Sequence, residues 1–343
     1  MRNDGTTRSP GMPHGLALAG LGVSAVAAIL LSMRYGAVGM DLAEVLAAIR
    51  GSGDPAAVTI VRELRLPRAV LAALVGGGLA LSGAGFQALL RNPLAEPYVL
   101  GVSSGAAVGA VAWIVAGGLA ISRVGLPAAA LAGALLAIAL VLRIGSRVDR
   151  GLDVRVLLLA GVVTGSFFTA CILLLLSFQQ ADAFRSAVFW MMGSLAGATW
   201  GAVAFMAAVV AVGGAALVSL ARPFNALAVG EETAAFLGVP VDSVRRAAYL
   251  IASGLAAGSV VVAGGIGFVG LVVPHAVRIV WGGEHRFLLP AAFLAGATFL
   301  PLADLLARVV VAPNELPLGV VTSFIGVPFF VGLLRRQARG AQA

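Results

Sequence analysis

Long apolar runs separated by short polar gaps dominate the chain. Runs of roughly 20 apolar residues, the length a helix needs to cross about 30 Å of hydrocarbon, fall near residues 14–34, 69–90, 99–119, 124–142, 156–178, 200–221, 246–263, 267–282, 287–306 and 317–334. They are continuous rather than alternating, which predicts helical spans and argues against a membrane barrel. The pattern predicts an all-α integral membrane protein with about ten transmembrane helices in one domain over 1–343. A tail at 1–13, a loop at 221–246 and a tail at 335–343 share one side of it. The first run is too long for a signal-peptide core and no clean small-residue cleavage site follows it, so it reads as a span.

Composition and charge sharpen this picture. Hydrophobic residues make up 60% of the 343 and charged residues 11%, too few to cover a soluble surface. Every basic residue is arginine. With no lysine a phosphate-binding loop of the Walker type is impossible, so the chain is not itself such an ATPase. The formal net charge of +8 is scattered over helix ends rather than gathered in a stripe, which disfavours nucleic acid as a partner. Counting arginines at the helix ends places both termini in the cytoplasm. No ionisable residue lies near the middle of any span, which argues against a proton-coupled carrier; sodium sites built from backbone carbonyls escape this argument. Cys171 lies in an apolar run and reads as a small core residue, and His14, His275 and His285 form no metal cluster. "GIGFVG" at 265–270 matches a dinucleotide-loop pattern but lacks the strand and the downstream acid that the fold requires. Glycines four apart, as at 101, 105 and 109, at 193, 197 and 201, and at 254 and 258, read as helix-packing positions.

Four polar stretches exceed what a turn needs. "VRELRLPRAV" (61–70) puts Arg62, Arg65 and Arg68 on the outer side, against the trend, where they either snorkel to headgroups or meet an acidic partner. "RNPLAEPYVLGVSSGA" (91–106) carries two prolines and is stiff and non-helical, which suits a gate at the cytoplasmic face. "EETAAFLG" (231–238) predicts a helix of about two turns, with acids at its start and Gly238 at its stop. It is either a knob for another protein or an interfacial helix on lipid. "LVVPHAVRI" (271–279) places Pro274, His275 and Arg278 on the cytoplasmic side.

Together with "GAGFQALLRNPLAEPYVLGVSSGA", "FWMMGSL", "AGGIGFVGLVVPHAVR", "LADLLAR" and "ELPLGVVTSFIGVPFFVGLL", these stretches resemble the FecCD-type permease family over Arg65 to Leu334. That family comprises the membrane subunits of ATP-driven importers for iron complexes, haem and vitamin B12. The resemblance implies a type II ABC importer permease fold in the bacterial inner membrane. The implied partners are a second copy of the chain, two cytoplasmic ATPase subunits that carry the ATP, and a periplasmic binding protein. It implies that Arg65, Arg68 and Arg308 dock the binding protein. Gly230, Glu231, Ala234, Leu237 and Gly238 would couple to the ATPase, and Asn92 and Leu94 would form a cytoplasmic gate. Before "LLLAG" this chain has Val154 and Arg155 where the B12-transporting members carry hydroxyl residues, so the inner seal is expected to be greasier at Val154.

The mouth sequence "FWMMGSLAGATW" looks most like that of haem permeases, with ferric siderophores or vitamin B12 as the alternative cargo. Phe184, Phe189, Trp190, Met191 and Met192 would supply apolar walls and Arg185 a cation for propionates. Haem would be cargo, with no permanently bound cofactor.

Overall fold

The computed structural model describes residues 13–36, 39–118, 122, 124–148 and 153–340, all helical or irregular, with no strand among them. Seven helices are long and apolar enough to cross a membrane: α1 (His14–Arg34), α3 (Pro55–Leu89), α5 (Gly125–Val148), α6 (Val154–Ser177), α8 (Trp200–Ser219), α11 (Val241–Ala263) and α13 (His285–Val309). Three helices with shorter apolar stretches complete the expected set: α4 (Val102–Val115), α12 (Val269–Trp281) and α14 (Leu318–Gly340), which is apolar over Leu318–Gly332. Four further helices, α2 (Leu42–Arg50), α7 (Ala181–Met191), α9 (Ala221–Val229) and α10 (Glu231–Phe236), connect the spans. The expected tail at 1–13 lies outside the described residues except for Pro13, as do the last three residues of the tail at 335–343.

Helix α3 is the axis of the subunit. Over 71–89 it is almost wholly buried, with α1, α8, α11, α12 and α13 packed around it, whereas α1, α5, α6 and α8 leave most of their own surface outside. Lipid supplies no hydrophobic drive between helices, so close backbone approach has to hold such a centre together. Gly83 provides it: a Cβ there would lie 1.8 Å from the Gly270 carbonyl oxygen of α12. A second seam joins α4 to α5, where a Cβ on Gly109 would come within 2.0 Å of the Ala129 oxygen. The packing reading therefore holds at Gly105, Gly109 and Gly258, while Gly197 and Gly254 face open space in the single subunit.

Two expected spans are shorter than the apolar runs that suggested them. Helices α4 and α12 rise only about 20 Å at 1.5 Å per residue, because each begins inside the bundle after an irregular stretch. Apolar residues in such a stretch look like span in the sequence, yet glycine and proline deny them the helix. Replacing Gly83 with valine should force α3 and α12 apart and destabilise the fold by about 1–3 kcal/mol or more. A fluorescence melt of the detergent-purified protein should show a lowered midpoint, and an unchanged midpoint would refute the seam.

Candidate transport path

The chain from 92 to 101 does not stay at the membrane face. Pro97 packs against Gly270, which itself lies by the Leu79 carbonyl. Leu79 is about 15 Å inside the end of α3 at Leu89. Residues 97–100 make one tight turn there, and Gly101 adopts φ +80° before α4 starts. Opposite it, 264–268 forms the irregular link between α11 and α12, with Gly264 at φ +69° and Phe268 at φ +68°.

Backbone N–H groups exposed by these breaks need partners, and two side chains of the facing loop supply them. The Phe268 N–H donates to Glu96 Oε1 at 2.7 Å, and the Ile266 N–H donates to the Tyr98 hydroxyl at 2.6 Å. Glu96, read from sequence as part of a stiff loop at the cytoplasmic face, is thus drawn into the bundle at the start of α12, where a carboxylate suits the helix dipole.

The mouth sequence is stitched to the same place. Gly193 adopts φ +76°; its carbonyl accepts from Leu318 at 3.0 Å, the Met192 carbonyl accepts from Gly319 at 3.0 Å, and the Ser194 N–H donates to Ala263 O at 2.9 Å. Gly193, Gly265 and Gly319 meet so closely that a Cβ on Gly193 or on Gly319 would lie 2.5 Å from the Gly265 oxygen. The "GS" after "FWMM" is therefore a crossing point of three segments.

Around this crossing lie two adjoining hollows of about 730 and 650 Å³ that share Tyr98, Ser103, Met191, Met192 and Gly265. The larger is also lined by Phe184 and Trp190, the smaller by Phe324 and Val327 of α14. Four of the six expected entrance residues and near neighbours thus line a cavity, while Arg185 and Phe189 do not. The guanidinium of Arg185 instead lies over the Phe189 ring, 5.5 Å from its centroid, and both side chains are exposed.

At the end carrying 221–246, Asn92 and Leu94, the residues expected to form a gate, bond to each other: Asn92 Oδ1 accepts from the Leu94 N–H at 2.9 Å, a local turn that leaves Leu94 half-buried. Arg91, at φ +48°, pairs with Glu231 at 2.6 Å, and Glu231 also pairs with the buried Arg245 of α11. The first residue of α10 is therefore tied to the residue preceding Asn92. Val154 lines a hollow of about 450 Å³ with Leu90, Arg91, Asp153, Arg155, Glu231 and Arg245, so its surroundings are ionic rather than greasy. Helix α10 lies between Gly230 and Gly238, both at positive φ, buries Ala234 and holds Phe236 out at 91% exposure with Leu237 beside it.

At the opposite end, Asp304 is 1% exposed and binds two arginines. It accepts from Arg68 Nη2 at 2.8 Å and from Arg308 Nε at 3.1 Å. Arg308 also donates to the carbonyls of Ser32 at 2.8 Å and Tyr35 at 3.0 Å, and Arg65 to the carbonyl of Met33 at 2.7 Å. Glu315 takes the outer end of Arg68 at 2.9 Å. The hydrogen bond and charge of Arg68 hold the Glu315 carboxyl below its usual 4.5, so this pair is complete above that pH and is lost only as pH falls through the lowered value. The structure brings the three arginines expected to dock a partner to one end of the subunit. The sequence reading missed the acids that gather them, although Asp304 stands four residues before Arg308, the spacing that puts both on one helix face.

Comparison with known proteins decides what this architecture belongs to. The FecCD transport family matches residues 24–336. The chain belongs to that family. An ABC transporter permease of Bacillus subtilis, YvrB, is 45% identical over 297 residues, covering 85% of this chain and 83% of its own. The cobalamin import permease BtuC of Halobacterium salinarum is 46% identical over 279 residues, covering 81% and 74%. The vitamin B12 import permease BtuC of Salmonella paratyphi A is 42% identical over 282 residues, covering 81% and 84%. A solved inward-facing ABC transporter assigned to the metal-chelate type superposes with a TM-score of 0.84 at 32% identity, covering 94% of this chain and 99% of that one. The protein is thus an ABC importer permease of the FecCD type, a multi-pass transport subunit.

Because Glu96 is the partner of a backbone donor inside the bundle, Glu96→Ala should leave the Phe268 N–H bare at a cost of about 1–3 kcal/mol. Limited proteolysis or hydrogen exchange should then show opening confined to 264–268; equal protection in both proteins would refute the clamp.

Proposed function

We propose that this subunit, paired with a second copy in the bacterial inner membrane with both termini in the cytoplasm, passes a metal macrocycle of the corrinoid class. A periplasmic binding protein delivers the cargo, and two cytoplasmic ATPase subunits supply the energy. The observation that carries the cargo reading is the lining of the path. The two hollows present Trp190, Met191, Met192, Phe184 and Phe324 with the hydroxyls of Tyr98, Ser103 and Ser104, and no cation among their lining residues. Apolar walls with scattered hydroxyls suit a bulky ring edged with neutral amides. The names of the cobalamin and B12 permeases at 42–46% identity point the same way.

Haem is the second reading, favoured by the Trp190–Met192 wall. Its propionates would need a cation, and Arg185, the residue expected to supply one, is engaged with Phe189 outside the hollows. A ferric siderophore stands with haem as an alternative.

At the inner end, Phe236 and Leu237 of α10 form the surface offered to the ATPase, with Gly230 and Gly238 setting its angle. Glu231 links that helix to the gate through Arg91. At the outer end Arg65, Arg68 and Arg308 receive the binding protein.

ATPase activity of the reconstituted complex, titrated with vitamin B12, haem and a ferric siderophore on the binding protein, tests the cargo. Stimulation by the corrinoid alone supports the first reading, and stimulation by haem alone replaces it with the second. In the same assay Glu231→Gln should preserve most ATP hydrolysis while lowering transport per ATP several-fold. Proportional loss of both activities would remove the link to the gate.

A further inference from the structure

The fork of Arg68 is already full. Its inner edge, Nε and Nη2, clasps Asp304 at 3.0 and 2.8 Å, and its outer end, Nη1 and Nη2, clasps Glu315 at 2.9 Å on each nitrogen. A guanidinium offers a carboxylate these two bidentate faces. The inner one is fixed, because Asp304 is buried at 1% exposure and shared with Arg308. The outer one is held by a side chain 41% exposed, on the irregular stretch between α13 and α14.

We infer that Glu315 is an intramolecular stand-in that occupies the Arg68 face meant for a carboxylate of the docking protein, and that docking proceeds by exchange of one carboxylate for the other. The inference rests on the reading of this end as the receiving surface for the binding protein. Exchange explains how the outer face of Arg68 can wait for a partner without standing bare while Asp304 holds the inner one, at the modest strength of an exposed pair. Glu315 can swing into water at little cost, while Asp304 keeps Arg68 and Arg308 aimed throughout. The stand-in weakens docking by its own pairing strength and sets a threshold: a partner that presents a carboxylate in the right place displaces it, and one that does not gains nothing from Arg68.

The test is the binding of the cognate, cargo-free binding protein to the permease–ATPase complex in nanodiscs, measured for the native chain, Glu315→Gln, Glu315→Ala, Arg68→Lys and the Arg68→Lys/Glu315→Gln double variant. Each Glu315 variant should tighten Kd by up to about five-fold, the size of one exposed ion pair, and make association more salt-sensitive. Arg68→Lys, which keeps the charge and loses the fork, should weaken binding, and in its background Glu315→Gln should tighten little further. If Arg68→Lys weakens binding while both Glu315 variants leave it unchanged or weaker, the exchange is overturned and the docking reading stands. If Arg68→Lys binds as the native chain does, the docking reading falls and takes the exchange with it. A thermal midpoint measured for each variant separates a loosened loop from a changed surface.

Discussion

Backbone that leaves the helix within a membrane must find its hydrogen bonds inside the protein. Here that constraint falls on two facing loops, 92–101 and 264–268, and side chains of the first meet open donors of the second. Glu96 and Tyr98 of the first accept from Phe268 and Ile266 of the second. The mouth segment joins through Gly193, whose neighbours bond to the end of α11 and the start of α14. Without these contacts α4 and α12 would have no defined starting points, and the two hollows would lose the placement of Tyr98 and Gly265, which line both. A path for a large solute needs helices that stop short, and short helices need polar groups at depth, so the polar content of "NPLAEPY" is a condition for having a path at all.

The ionic residues obey the same economy at both ends. Two groups of charges are gathered where three segments converge. Glu231 joins the gate loop, α10 and α11 through Arg91 and Arg245. Asp304 joins α3, α13 and, through Arg308, the end of α1. A buried carboxylate with two arginines is strongly destabilised by loss of either partner, which makes such a node rigid. The node at Glu231 involves a half-exposed Arg91 and Glu231 and is correspondingly easier to break.

Much of this was legible in the chain. Ten apolar runs correspond to seven long and three short helices, and "EETAAFLG" forms its short helix between two glycines, as the dipole-suited acids and the stop residue imply. The path was less legible because its determinants are not periodic. The inward turn of Glu96 depends on Phe268, far away in sequence, and no local pattern in "GIGFVG" announces that its N–H groups will be left open. Arg185 misled for a related reason. A cation beside aromatic residues suggests a ligand site, yet on α7 it stands four residues before Phe189 and stacks on its own helix. Asp304 and Glu315 escaped notice because an acid beside arginines reads as surface charge until tertiary packing buries it.

The two nodes also differ in what an incoming protein meets. At the inner end it meets Phe236 and Leu237, apolar and exposed, which gain by being covered and need no exchange of partners. At the outer end it meets arginines whose hydrogen bonds are already made, so contact is favourable only if the newcomer's acids replace bonds of equal quality. An apolar knob suits a lasting attachment. Under the proposed docking, a satisfied ionic surface suits a partner that arrives loaded and leaves, because the chain would regain its own bonds on its departure. The same physics that forbids bare charge near lipid thus makes one face sticky and the other reversible.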